Sequence, residues 1–315
     1  MQPFNRRQVL FSLGAAGIAS ALAPRLLAKA ETEDAFQFLF ITDCHIQPEL
    51  DAAGGTASAF KKARAIQADF TIQGGDHVFD ACMVSKQRAL SLFDLYAKTE
   101  QDLGMKVYHT LGNHDCLGIG GTAVSPQDPQ YGKRLYEERF GKTYYSFDRR
   151  HCHFVVLDSI HPLPGYTFEG RVGDDQLAWL AADLAALAPG TPTILVTHIP
   201  LVTAVAAYIP AGSPMRQYIP LLSVSNSAQV LETLEGHNVI AVLQGHTHIN
   251  ETVFWKGVPY ITGGAVCGNW WHGSHLGNPE GFTVVKVAGG KVTTHYETYG
   301  FKSVDPQKDF GYKAS

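Results

Sequence analysis

Five short polar segments of the chain carry the residue types that bind metal ions and transfer protons. They read Asp43-Cys44-His45, Gly74-Gly75-Asp76, Gly112-Asn113-His114-Asp115, His198 and Gly245-His246-Thr247-His248. Imidazole nitrogens and carboxylate or amide oxygens are ligands for transition metals, and imidazole also exchanges protons near neutral pH. Taken singly, most of these segments would be solvated turns or structural histidines. Taken together, they indicate metal-assisted chemistry.

The spacing within two of the segments favours convergence on one ion. Asp43 and His45 are two residues apart, as are His246 and His248. In an extended chain, both members of such a pair face the same side. Cys44 would then face the opposite side, which disfavours it as a ligand.

Predicted strands precede the polar segments. We expect these strands at residues 36–42, 69–73, 105–111, 193–197 and 239–243, separated by helices at 56–68, 84–103, 131–140, 175–187 and 228–235. Asp174 is the predicted N-cap of one helix, a hairpin is expected at 144–158, and a long loop at 200–225. Further strands are predicted at 251–255, 258–262, 282–287 and 291–298. This order indicates an α/β fold with a mixed sheet, whose ligands bind at the carboxyl ends of the strands.

In their order and placement, the five segments resemble those of the calcineurin-like metallophosphoesterase superfamily, over residues 36–261. The resemblance implies a four-layer αββα sandwich of two mixed β-sheets flanked by helices, with two metal ions at the strand ends. It implies one metal bound by Asp43, His45, Asp76 and His248, and a second bound by Asp76, Asn113, His198 and His246, with Asp76 bridging. Such a nitrogen and oxygen set suits Fe, Mn or Zn.

The same resemblance implies a hydrolase that cleaves small phosphate mono- or diesters by attack of a metal-bridging hydroxide on phosphorus. His114 would steady the phosphoryl oxygens or protonate the leaving group, and Asp115 would orient its imidazole. Purple acid phosphatases carry a tyrosine ligand where this chain has Phe79, so a coloured ferric–tyrosinate centre is not expected. His77, beside the bridging carboxylate, is either a supporting residue of the site or a packing residue.

Two other functions remain open at this level. A nucleotide or cyclic-nucleotide phosphodiesterase would use the same residues and differ only in substrate. A non-catalytic interaction scaffold on the same fold would tolerate loss of the ligands or of His114, and this chain retains all of them.

A segment rich in glycine and tryptophan follows the last polar segment. Trp270, Trp271 and His272 are candidate substrate contacts, because aromatic rings near a phosphate site could stack on a base or an aryl group. The alternative is that both indole rings belong to the hydrophobic core.

The first thirty residues resemble a twin-arginine export signal. Arg6 and Arg7 precede an apolar stretch at 9–23 that is too short to span a bilayer comfortably, and Ala28-Lys29-Ala30 offers a cleavage site. We therefore expect export to the periplasm or the exterior, no stable membrane anchor, and a single metallophosphoesterase domain at 31–315.

Charge and cysteine content exclude some partners and sites. The signal contains four of the 25 basic residues and no acidic residue, so 21 basic and 29 acidic residues remain, a net charge of −8. Such a charge disfavours a nucleic-acid polymer as partner. The five cysteines form no CxxC pair, so a thiolate zinc site is not indicated. They are either buried apolar residues or partners in a disulfide whose pairing is open.

Overall fold

Strands and helices alternate through the first two thirds of the chain. The computed structural model describes residues 35–165 and 167–308, so the predicted export signal lies outside the described residues. The strands are β1 (Phe36–Ile41), β2 (Thr71–Gln73), β3 (Val107–His109), β4 (Tyr145–Arg149), β5 (Cys152–Leu157), β6 (Ile160–Leu163), β7 (Thr167–Gly170), β8 (Thr193–Thr197), β9 (Val239–Gln244), β10 (Asn250–Trp255), β11 (Val258–Gly263), β12 (Gly281–Ala288) and β13 (Lys291–Thr298). The helices are α1 (Ala52–Ala65), α2 (Lys86–Glu100), α3 (Arg134–Phe140), α4 (Asp174–Ala185), α5 (Val205–Tyr208) and α6 (Ser227–Thr233), with 3₁₀ turns at Gln101–Leu103, Asn113–Asp115 and Pro214–Leu221.

Two mixed sheets contain most of the strands. The first has the order β13-β12-β1-β2-β3, and the second has the order β10-β11-β9-β8-β5-β4. Strands β1, β2 and β3 are parallel in the first sheet, and β5, β8, β9 and β11 are parallel in the second. The ligand segments therefore follow the carboxyl ends of parallel strands in both sheets.

Alternation along β1 shows how the layers are packed. Phe36, Phe38 and Phe40 lie in the core between the two sheets, whereas Leu39 and Ile41 belong to the core under α1 and α2. Successive side chains of a strand point to opposite faces, so a strand buried on both faces is apolar throughout. A third core lies under α4 and α6 on the outer face of the second sheet. The predicted four-layer αββα sandwich is confirmed.

Local predictions differ from the structure at three places. Asp174 is the first residue of α4 and Gly173 is its N-cap. A small hairpin, β6–β7, was not predicted; its residues include Pro162 and Gly170, which weaken a strand pattern. The predicted loop at 200–225 contains α5 and the 3₁₀ helix Pro214–Leu221.

All five cysteines are in the described part of the chain, and each is a buried free thiol. They therefore behave as small apolar residues rather than as disulfide partners. Among the described residues, no helix combines the length and apolarity needed to cross a membrane.

Candidate metal centre

The site lies where the carboxyl ends of the two sheets meet. Asp43 and His45 follow β1, Asp76 follows β2, and Asn113 begins the 3₁₀ turn after β3. In the second sheet, His198 follows β8, and His246 and His248 follow β9. The fold thus brings all seven predicted metal ligands to one place, although their binding of metal stays a prediction.

The paired segments converge by a different geometry from the extended one predicted. Asp43, His45, His246 and His248 all have left-handed backbone conformations, with φ between 42° and 69°. Such conformations are uncommon outside glycine and cost roughly 1–3 kcal/mol each. Backbone hydrogen bonds hold them, such as His45 N–H to Asp76 O at 3.1 Å. The turns, rather than strand alternation, direct these side chains inward.

The first group of ligands forms around His45. Its Nε2 lies 3.4 Å from Asp76 Oδ2 and 3.2 Å from His248 Nε2. His248 Nε2 in turn lies 3.4 Å from Asp43 Oδ1. Nitrogen lone pairs and carboxylate oxygens so close together, all in buried residues, are the donor set of a transition metal site.

The second group shares Asp76 with the first. Asp76 Oδ2 lies 3.1 Å from His198 Nε2, and that nitrogen lies 3.1 Å from Asn113 Oδ1. Asp76, His198 and His246 offer ligand atoms that are all within 4.8 Å of one another. Since Asp76 belongs to both groups, the donors fit two metal ions with a shared carboxylate.

Backbone carbonyls orient three of these imidazoles. The Nδ1 atom of His45 lies 3.2 Å from Phe79 O, that of His198 lies 2.9 Å from Gly74 O, and that of His248 lies 2.7 Å from Gly268 O. A proton on Nδ1 satisfies each carbonyl, so Nε2 is the ring atom that faces the carboxylates. These contacts depend on backbone atoms and were not predicted from the residue types.

The charges of the site are set by burial and by its two carboxylates. Burial lowers the pKa of His45 to about 3 and that of His246 to about 4, so both are neutral, as a metal ligand must be. Burial acts the same way on His198, but the Asp76 carboxylate outweighs it and raises the pKa of His198 to about 9. Metal binding there must displace a proton.

Two glycines allow the loops to approach one another. A Cβ atom on Gly112 would lie 2.2 Å from the backbone nitrogen of Asp76, and one on Gly75 would lie 2.3 Å from His198 Nδ1. Gly75 also has a φ of 105°, which side chains rarely allow. The glycines beside the ligands are therefore required by packing as well as by backbone shape.

His114 lies at the site beside a carboxylate that was not predicted. Its Nδ1 is 3.6 Å from Asp80 Oδ1, an ion-pair distance, and its backbone N–H donates to Asp76 Oδ1 at 2.8 Å. Burial opposes protonation of this imidazole, but Asp76 and Asp80 outweigh it and raise the pKa of His114 above its usual value. Asp80 lies four residues after Asp76, a spacing that gave no signal in the sequence.

The prediction that Asp115 orients His114 does not match the hydrogen bonds. The Asp115 carboxylate accepts from the backbone N–H groups of Asp76, His77 and Gly112, at 3.0, 2.9 and 3.0 Å. It therefore ties the loop after β2 to the loop after β3. A carboxylate next in sequence to a histidine cannot reach its ring when the turn directs the two side chains apart.

The three predicted substrate contacts have different surroundings. The half-buried Trp270 ring lies 4.0 Å from the His45 ring and 4.9 Å from the His114 ring, between centroids. Trp271 is fully buried, and its Nε1 donates to His45 O at 2.9 Å. His272 Nδ1 lies 2.9 Å from Asp305 O, in the C-terminal segment. Trp270 alone of the three lines the site, and the core alternative describes Trp271.

A cavity of about 540 Å³ opens over His114, His246, His248 and Trp270. Its other wall is mostly apolar and comes largely from the segment between β8 and α6. The sequence predicts only a loop for that segment, because apolar residues among prolines and glycines have no regular period.

Comparison with known proteins agrees with this geometry. The model of the calcineurin-like phosphoesterase family matches residues 36–250. Over 113 residues, the chain is 30% identical to a probable cyclic nucleotide phosphodiesterase of Rhodococcus erythropolis and 33% identical to a cAMP/cGMP dual specificity phosphodiesterase of Mycobacterium tuberculosis. Each match covers 36% of this chain and about a third of the relative, 33% and 31% respectively.

Solved structures share the fold at lower sequence identity. A dimetal phosphatase from Danio rerio superposes with a TM-score of 0.60 at 16% identity, over 84% of this chain and 99% of the other. At that identity the likeness concerns the fold alone. The match of the family model across most of the chain shows that this chain belongs to the calcineurin-like phosphoesterase family.

Proposed function

We propose that this chain is a metal-dependent phosphoesterase that hydrolyses small phosphate esters. The observation that carries the proposal is the convergence of three imidazole Nε2 atoms on the carboxylates of Asp43 and Asp76, with each Nδ1 held by a carbonyl. Bound metal ions would polarise the phosphoryl group and acidify water.

The residues around the ligands have separate roles in this proposal. The Asp80 carboxylate, 3.6 Å from His114 Nδ1, favours the protonated ring, which would donate through Nε2 to the leaving oxygen. Asn113 Oδ1 and His198 Nε2 fix one edge of the site. Trp270 covers the His45 and His114 rings and limits the access of water.

A cyclic or linear nucleotide diester is the second candidate substrate. The names of the two bacterial relatives favour it, and the Trp270 ring beside the site could stack on a base. A cyclic nucleotide and a simple ester would use the same ligands, so the distinction depends on the cavity wall.

Turnover by metal-reconstituted protein tests the proposal. The protein is stripped with a chelator and loaded with Fe, Mn or Zn in turn. It is then assayed with p-nitrophenyl phosphate, bis(p-nitrophenyl) phosphate, cAMP and cGMP. We expect hydrolysis that requires metal and that is lost in His114→Ala. Absence of turnover with every metal and substrate, in protein shown to hold two ions, would favour the scaffold alternative instead.

We also propose that residues 1–30 direct export by the twin-arginine route, based on Arg6, Arg7 and the Ala28-Lys29-Ala30 site. Cell fractionation and N-terminal sequencing test this. We expect a mature chain that begins at residue 31 outside the cytoplasm, and its retention inside when both arginines are replaced by lysine. Export that is unaffected by the double replacement would contradict the twin-arginine route.

A further inference from the structure

The wall of the cavity over the metal centre is apolar and uncharged. Six apolar or aromatic residues of the segment between β8 and α6 line it, namely Val205, Ile209, Met215, Tyr218, Leu221 and Leu222. Phe168, Trp270 and Leu276 add to the apolar surface from other elements. Within the described part of the chain, neither an acidic residue nor a lysine or arginine lines this cavity.

This wall is attached to the metal centre by hydrogen bonds. The carbonyl of Leu221 lies 3.1 Å from His246 Nε2, so the end of the 3₁₀ helix contacts a metal ligand. At the start of the segment, Leu201 N–H donates to Gln244 Oε1 at 2.8 Å, and Ala204 N–H donates to Glu251 at 3.2 Å. The wall is therefore held at a set distance from the place where phosphorus would bind.

Few polar groups are available to a substrate in this wall. Apart from Asn113 and four histidines (His114, His246, His248 and His275), the polar side chains of the lining are those of Thr167, Thr247, Tyr218 and Cys82. A ribose and a base carry several hydrogen-bonding groups, and leaving them unpaired in an apolar site is costly. An alkyl or aryl group loses nothing there and gains from burial, by about fourfold in affinity per methylene.

We propose that the substrate is a phosphate ester of an apolar alcohol, with an alkyl or aryl group that occupies this cavity. The inference rests on the proposed phosphoesterase function, since the phosphoryl group must bind at the metal centre for its substituent to reach the wall. It selects against nucleotides among the candidate substrates. Either an alkyl chain or an aromatic ring would supply this apolar substituent, and the binding experiment distinguishes the two.

Binding of non-hydrolysable phosphonates to the metal-loaded protein tests the proposal. The phosphonates are methylphosphonate, hexylphosphonate and phenylphosphonate, measured by calorimetry and as competitive inhibitors of p-nitrophenyl phosphate hydrolysis. Thymidine 5′-monophosphate is itself a hydrolysable ester, so it is measured only as a competitor of p-nitrophenyl phosphate. We expect hexylphosphonate or phenylphosphonate to bind at least about 30-fold more tightly than methylphosphonate, given partial burial of the substituent. Whichever of the two binds more tightly tells whether a chain or a ring fits better. We expect thymidine 5′-monophosphate to bind more weakly than either.

Matched variants test whether the preference for larger apolar substituents comes from this cavity. Met215→Gln places an amide of similar length in the wall and should reduce the ratio of hexyl to methyl affinity at least fivefold. Met105→Gln makes the same change at a half-buried methionine outside the cavity and should leave the ratio unchanged. Tyr218→Ser, at a side chain that is 53% exposed, gives a second wall variant with little risk to folding.

The outcomes separate this inference from the function on which it rests. Equal affinity for methylphosphonate and both larger phosphonates, or tighter binding of the nucleotide, overturns the inference even when phosphate esters are hydrolysed. Hydrolysis of no phosphate ester contradicts the proposed function, whatever the order of phosphonate affinities. A hexyl preference that survives both wall variants would also overturn the assignment to this cavity.

Discussion

The Asp115 carboxylate lies 2.8 Å from His77 Nδ1, and both side chains are fully buried behind the metal centre. The same Asp115 oxygen accepts from the backbone of Asp76 and of Gly112. On the other side of the ring, His77 Nε2 lies 3.0 Å from His109 Nδ1 in β3. His77 and Asp115 therefore connect two ligand loops to the strand beneath them.

We expect Asp115→Asn to lower the free energy of unfolding by about 3 kcal/mol, because an amide leaves buried donors unsatisfied. Metal content should fall with it, since both loops are released. His77→Phe removes the hydrogen bonds to Asp115 and His109 but keeps the ring packing on Phe140, so a loss of about 2–3 kcal/mol is expected. Asp175→Asn, at an exposed carboxylate, is the control. Urea unfolding and elemental analysis measure these effects, and a wild-type result for Asp115→Asn would exclude a bracing role.

Asp76→Ala should lose most of both metal ions, because this carboxylate belongs to both ligand groups. Asp43→Ala should lose mainly one ion, since Asp43 lies in the first group only. Elemental analysis of the two proteins after identical dialysis measures the difference. Two ions per chain in Asp76→Ala would rule out the bridging assignment.

Metal should also stabilise the fold. Ions bound only by the native state raise its stability by about 2.7 kcal/mol at a concentration 100 times the Kd. We expect a chelator to lower the Tm of the wild type and to change the Tm of Asp76→Ala much less. Differential scanning calorimetry tests this. Equal Tm shifts in both proteins would show that the stabilising ions do not depend on Asp76.

His114→Asn should keep both metals and lower kcat by about 10²–10⁴-fold. The loss should be larger for an alkyl phosphate than for p-nitrophenyl phosphate, because a good leaving group needs no proton. Asp80→Asn should give a smaller loss and move the pH profile, since its charge helps to raise the pKa of His114. Without the Asp80 charge the pKa of His114 falls, so the protonated His114 ring, and activity with it, is lost at a lower pH than in the wild type. If both substrates slow equally in His114→Asn, His114 does not act as the acid.

The two adjacent tryptophans should respond in opposite ways. Trp271→Ala removes a fully buried ring and should cost about 3–5 kcal/mol of stability. Trp270→Ala should raise KM while Tm and metal content hold, because its ring lines the cavity. Tm and KM measured on both variants decide this, and a large Tm loss in Trp270→Ala with no change in KM would remove it from the substrate site.

Local sequence was sufficient for the strand ends and for the identity of the metal ligand candidates. Apolar runs such as those at β1 and β8 predict buried strands, and the polar residues that end them are visible in the sequence. Because parallel strands present their carboxyl ends at one edge of a sheet, the gathering of Asp43 with Asp76 in the first sheet, and of His198 with His246 in the second, could be predicted from order alone.

Tertiary structure alone decided which groups support those ligands. His45 and His248 are 203 residues apart, yet their Nε2 atoms lie 3.2 Å from each other. Asp80 rather than Asp115 faces His114, and Trp270 rather than Trp271 faces the cavity. Side-chain direction at left-handed turns depends on long-range packing and on backbone hydrogen bonds, and neither has a period in the sequence. The apolar wall between β8 and α6 lies beside the site because the Leu221 carbonyl contacts His246.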